Sequence, residues 1–304
     1  MEIGSKSRFV LIGAPIDCEG TPGGCSLAPL ILRRLGLREA LGARRDLNDM
    51  PVRILDTTRD PATGIIDYAS VEHLTRETRN QIAKITKAGD IPVVQGGCCS
   101  MVIGAVAGAK DTHDNVAVVY VDGHMDLYTG ETSPEGLCAD MPAAILLGYG
   151  PPQLAEAMGT DALLEPEELV LLAYRDEDLA RADGSLMPSD FCGRLKHCNI
   201  YDLRDNGAAH VAKETLSYLK HTQKKFWLHI DWDVMDENVL PSADYLMPHG
   251  LTWIEFEALV TPFVQDNSLV GISMSDYNPD NDSDLVDGQK IIETVQRVFA
   301  KSHS

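Results

Sequence analysis

Three acidic clusters stand where apolar runs end, and they constrain this chain more than any other feature. Asp122-Gly123-His124-Met125-Asp126 follows Val116–Val121, and Asp231-Trp232-Asp233 follows Phe226–Ile230. A third, weaker cluster is Ser275-Asp276-Tyr277-Asn278-Pro279. Read as extended chain with period two, Asp122, His124 and Asp126 share one side, as do Asp231 and Asp233. Four carboxylates and an imidazole brought to one point repel one another unless cations lie between them. The pattern therefore predicts a metal site.

Strand-like and helix-like segments alternate along the chain. Strands are expected at Arg8–Pro15, Val52–Asp56, Ile91–Gln95, Val116–Val121, Leu169–Ala173, Asn199–Leu203, Phe226–Ile230 and Leu269–Met274. Helices are expected at Pro29–Leu41, Ser70–Ala88, Ser100–Ala107, from near Met141, after Pro151, and at Ala208–Thr222, Trp253–Gln265 and Gly288–Ala300. Short apolar strands without alternation, separated by helices, predict an α/β fold of three layers, α/β/α, with a mostly parallel central sheet covered on both faces. With no linker or repeat, residues 1–304 are read as a single domain. In such sheets ligands bind beyond the carboxyl ends of the strands, where all the acidic clusters stand.

The formal net charge of −20 argues against nucleic acid and anionic membrane as partners and is compatible with a small cationic substrate. No apolar run reaches the length of a membrane span, and the N-terminus lacks the apolar core of a secretory signal, so a cytoplasmic location is expected. The seven cysteines, an odd number without such a signal, are expected to be reduced thiols.

Beyond these readings, the motifs resemble the ureohydrolase superfamily of arginases, agmatinases and related guanidino hydrolases. Leu11-Ile12-Gly13-Ala14-Pro15 with Gly20, Gly23 and Gly24 is similar to the family's first strand and glycine-rich loop. Gly96-Gly97-Cys98-Cys99-Ser100 matches its GGDHS motif, Asp122–Asp126 its DAHxD motif, and Asp231–Glu237 its DxDxxDP segment. The resemblance spans nearly the whole chain. It implies an arginase-like fold and two manganese ions (Mn2+) bridged by a hydroxide that attacks the guanidinium carbon. It also implies ligands: Asp122 and Asp231 bridging, Cys99 and Asp126 on the first ion, His124 and Asp233 on the second. The family's trimers and hexamers leave a homo-oligomer open.

Several positions depart from the family pattern. Cys99 replaces a histidine ligand and Cys98 the aspartate before it; a thiolate is softer than imidazole and shifts preference from manganese towards zinc or iron. Such an exchange is similar to a branch of the superfamily that includes N-hydroxyarginine hydrolase. Ala139 occupies the position of the arginase proton-shuttle histidine, and loss of an acid/base group costs on the order of 10²–10⁴ in rate. A substrate more reactive than arginine, such as a hydroxyguanidine, offsets that cost.

For the substrate, the resemblance assigns the guanidinium to Asp276, the α-amino group to Asp178 and the α-carboxylate to Tyr128 and Glu135. Glu135 would repel a carboxylate. Asp126 and Asp276 are the expected catalytic residues. His229 reads either as a partner orienting a ligand or as a hydrogen-bonded core histidine. The alternative to a metal-dependent hydrolase of an arginine-, hydroxyarginine- or agmatine-like substrate is a catalytically impaired pseudoenzyme or binding protein with an altered metal site. A deacetylase-like hydrolase ranks below both, because the chain has no His-His pair.

Overall fold

Eight parallel strands form one sheet in the computed structural model, which describes residues 8–300. They are β1 (Phe9–Ala14), β2 (Arg45–Asp49), β3 (Ile91–Gly96), β4 (Val116–Val121), β5 (Leu169–Leu172), β6 (Lys196–Cys198), β7 (Lys225–Asp231) and β8 (Leu269–Ser275). Their order is β2-β1-β3-β8-β7-β4-β5-β6, and every pairing is parallel. The inner strands are buried on both faces, which is why they read as continuous apolar runs.

Successive residues of one strand enter opposite cores. Val10 and Ile12 pack with the helices Tyr68–Lys87 and Met101–Lys110. Phe9 and Leu11 pack with Ala28–Arg34, Trp253–Val264 and Val286–Ala300. The expected three layers are therefore present. No helix among the described residues is long and apolar enough to cross a membrane.

The structure corrects three expectations of local structure. Val52–Asp56 is not a strand; β2 lies earlier, at Arg45–Asp49, where the sequence RDLND carries no apolar signal. It is an edge strand with one side in solvent, and charged residues are favoured there because they block pairing with another chain. The strand expected at Asn199–Leu203 is instead Lys196–Cys198, and Ile200–Asn206 is helical. Asn199 caps that helix, its side chain accepting from the Asp202 N–H. The helix expected at Pro29–Leu41 breaks at Gly36, whose φ of 101° belongs to the left-handed region.

The helices Tyr68–Lys87 and Met101–Lys110 approach closely because Gly104 and Gly108 face the neighbouring backbone. A Cβ at Gly104 would overlap the Thr75 carbonyl, and one at Gly108 the Arg79 carbonyl. Gly108→Ala is thus expected to destabilise the protein by about 1–3 kcal/mol through overpacking. Chemical denaturation of the two proteins measures this, and equal stability would contradict the packing described.

Candidate metal centre

The strands β3, β8, β7 and β4 are neighbours in the sheet, and each delivers a polar cluster at its carboxyl end. Cys99 follows β3, Asp276 follows β8, Asp231 ends β7 with Asp233 just beyond, and Asp122, His124 and Asp126 follow β4. The convergence does not come from strand periodicity. Residues 122–126 form a loop, and Asp126 adopts a left-handed φ of 52°. Short turns fix the carboxylates: Asp122 Oδ1 accepts from the His124 N–H at 2.6 Å, and Asp231 Oδ1 from the Asp233 N–H at 2.8 Å.

Three groups of potential ligands result, each with its donor atoms within 4.8 Å of one another. They are Cys99, Asp122, His229 and Asp231; Asp122, His124 and Asp233; and Asp231, Asp233 and Asp276. Asp122, Asp231 and Asp233 each belong to two groups, so the three groups share carboxylates. Asp126 is in none of them; its Oδ2 accepts from the Tyr120 hydroxyl at 2.5 Å. His229 takes a place in the Cys99 group that had been expected for Asp126.

The centre lies in a cavity of about 400 Å³. Tyr128, Glu135, Ala139 and Asp276 line it. Asp178 does not; it is exposed. Asp176, Leu179 and Asp183 line the cavity instead. Asp176 stands just before the helix Glu177–Ala182, and a spacing of three then four residues puts these positions on one face. Helical periodicity applied to the Arg175-Asp176 pair would have found them. The buried Asp176 Oδ1 has no hydrogen-bond partner, and the Tyr128 hydroxyl donates to Asp183 Oδ2 at 3.0 Å. Asp140 also lines the wall, while among the described residues no lysine or arginine does.

One pair of thiols departs from the reduced state expected: Cys18 and Cys98 form a disulfide, their Cα atoms 6.3 Å apart. The bridge ties the loop after β1 to the turn that carries Cys99. Cys99 itself is free and buried. Its Sγ lies 2.6 Å from Asp231 Oδ2, 3.1 Å from Ser275 Oγ and 3.3 Å from His229 Nε2.

The electrostatics show what the cluster lacks. Burial, reinforced by neighbouring carboxylates, holds the Asp122 and Asp276 acids well above the usual carboxylate range and raises Asp231 to about 7. Burial opposes charge on Asp233 too, but His124 Nδ1, 2.7 Å from its Oδ2, holds that acid below its ordinary value. Burial likewise disfavours charge on His124, yet Asp233 wins and raises it to about 10. Burial lowers His229 to about 3, so its imidazole is neutral, the form that binds metals. The Arg175 charge helps to lower Asp233, but its hydrogen bonds go to the main-chain carbonyls of Asp233, Met235, Met247 and Pro248 and to none of the site carboxylates. These buried acids fit divalent ions, which would replace the shared protons.

Asp231 (about 7 against 3.8) and His124 (about 10 against 6.5) hold protons more tightly in the metal-free folded chain than when unfolded. Stability from such groups is complete below the unfolded value and lost as pH rises through the folded one. The chelator-treated protein should therefore lose thermal stability between about pH 5 and pH 9, and a divalent ion should restore it most at the alkaline end. Melting curves across that range, with and without ion, are the check; a metal-free protein that gains stability with pH would contradict it.

Known proteins match most of the chain. The model of the arginase family matches residues 7–297. An arginase of Bacillus caldovelox is 27% identical over 277 residues, covering 88% of this chain and 90% of its own. Human Arginase-1 is 27% identical over 286 residues, covering 90% and 86%. A solved arginase structure from Bacillus subtilis superposes with a TM-score of 0.81 at 25% identity, covering 97% of this chain and 99% of that one. Matched by the family model over nearly its whole length, this chain belongs to the arginase family, hydrolases of guanidino and amidino compounds.

Proposed function

We propose that the protein hydrolyses a guanidino-type C–N bond in a small cationic substrate at a centre of two divalent ions. One observation carries this reading: buried carboxylates from adjacent strands converge in a cavity whose wall, among the described residues, contains no lysine or arginine. Held there, divalent ions supply Lewis-acid charge and lower the pKa of water, giving the nucleophile that hydrolysis at neutral pH requires. Asp122, Asp231, Asp233, His124 and Cys99 would hold them, with manganese suited to the oxygen-rich part of the donor set.

The remaining residues bind and orient. Asp276 is buried, and its main-chain N–H donates to the Gly97 carbonyl at 2.7 Å, which fixes it beside Asp231. There its carboxylate can pair with the substrate's planar cation. Tyr120 orients Asp126 through their hydrogen bond. Leu137, Leu179 and Pro134 supply apolar walls for an alkyl spacer. Ala139 offers no proton to a leaving amine, which favours a substrate whose leaving group needs little help, such as a hydroxyguanidine.

The wall also opposes a substrate carboxylate. Glu135, Asp140, Asp176 and Asp183 line the cavity with no cation among them to receive one. An ω-guanidinoalkylamine meets favourable charge where an α-amino acid meets repulsion. A pseudoenzyme is the weaker reading, because the carboxylate cage would be costly to bury without ions.

Asp231→Ala should remove both ions and lower kcat by on the order of 10³ or more. Elemental analysis with turnover assays measures it; two ions retained in this variant would contradict the bridging role. For specificity, kcat/KM for a guanidinoalkylamine is expected to exceed that for arginine by about tenfold or more, equivalent to about 1.4 kcal/mol. A preference for arginine would refute the charge argument, and the same assay with hydroxyarginine tests the leaving-group argument.

A further inference from the structure

His229 is the member of the buried ligand groups to which the resemblance gives no role. It lies on β7 two residues before Asp231, so both face the same side of the strand. The register pairs His229 with Ser273 and Asp231 with Ser275 across β7 and β8. Both pairs are joined through their side chains: His229 Nδ1 is 2.8 Å from Ser273 Oγ, and the Ser275 hydroxyl donates to Asp231 Oδ2 at 2.7 Å. The imidazole is fully buried, and its other nitrogen, Nε2, lies 3.3 Å from Cys99 Sγ.

We propose that His229 Nε2 is a ligand of the ion held by Cys99, Asp122 and Asp231, so that the two ion sites of the centre differ in chemistry. The inference rests on the metal-centre reading and adds a ligand that the motifs do not supply. Nitrogen and sulfur ligands around a tetrahedral zinc ion, at about 2.05 and 2.3 Å, are about 3.5 Å apart. The 3.3 Å separation of Nε2 and Sγ already matches that edge. The donor atoms of all four residues lie within 4.8 Å of one another.

The hydrogen bonds provide the tautomer that a ligand needs. The Trp227 indole N–H donates to Ser273 Oγ at 2.9 Å and occupies one of its lone pairs. The second lone pair can accept from Nδ1–H, which leaves the Nε2 electron pair free and pointed at the cluster. Tyr120 packs against the ring, its centroid 4.3 Å away, and limits rotation.

The consequence is an uneven pair of sites. Cys99, His229, Asp122 and Asp231 make a nitrogen, sulfur and oxygen set that suits zinc, iron(II) or cobalt(II). Asp122, His124 and Asp233, with Asp231 alongside, offer mainly oxygen and suit manganese. His229 thereby restores to the first site the imidazole that Cys99 displaces.

The experiment uses the full chain, stripped of metal and loaded with cobalt(II). Wild-type protein should show a thiolate-to-cobalt charge-transfer band that Cys99→Ser abolishes. His229→Gln, whose amide retains hydrogen-bonding capacity near Nε2, should keep that band, shift the visible cobalt bands, and bind the first ion about tenfold or more weakly. Unchanged visible bands and affinity in His229→Gln would overturn the proposal. As a second measurement, X-ray absorption on zinc-loaded His124→Gln should still show one imidazole and one sulfur around zinc; sulfur without imidazole would also overturn it. Absence of the charge-transfer band in wild-type protein would instead defeat the underlying reading that Cys99 binds an ion.

Discussion

Like charge gathered in a place without water is the constraint from which the rest of this molecule follows. Asp122, Asp126, Asp231, Asp233 and Asp276 are all buried at the carboxyl edge of one sheet. Their mutual repulsion and lost hydration demand compensation that protein cations do not provide. His124 and Arg175 lower Asp233, and His124 acts on Asp126 as well, yet Asp122 and Asp276 stay well above the carboxylate range. The fold can carry this local penalty because two apolar cores on either face of the sheet hold the strand ends in place.

Strand order turns this constraint into a site. Cys99, Asp276, Asp231 and Asp122 meet because β3, β8, β7 and β4 are successive neighbours in the sheet. The chain contributes its ligands in four separate segments, and parallel strands guarantee that all four arrive at the same edge. The helix Glu177–Ala182, after β5, is flanked by Asp176 and Asp183, which add acidic groups to the cavity wall.

The inner strands were legible in the sequence because burial on both faces leaves an unbroken apolar run, as in Val116–Val121. The edge strand Arg45–Asp49 was not, since a strand in solvent needs charge more than apolar residues. At the site, motif residues such as Asp122 and Asp231 could be read directly because their chemistry is local. Asp176 and Asp183 required the phase of a helix whose first turn carries little periodic signal. The turn that frees Asp126 to meet Tyr120 involves a left-handed residue that is not glycine, so no residue type announces it. The role of His229 depends on which residue faces it across β8, and pairing register is a property of the folded sheet.

The Cys18–Cys98 bridge has a consequence for the unfolded chain. It encloses a sequence separation of 80 residues, a stretch that contains β2, β3 and the helix Tyr68–Lys87. Closing a loop of that length removes conformational freedom equivalent to about 4.5 kcal/mol in the chain-entropy description. The tether therefore penalises denaturation of the amino-terminal third as a unit. A reducing milieu would withdraw that contribution while leaving the folded contacts of the sheet in place.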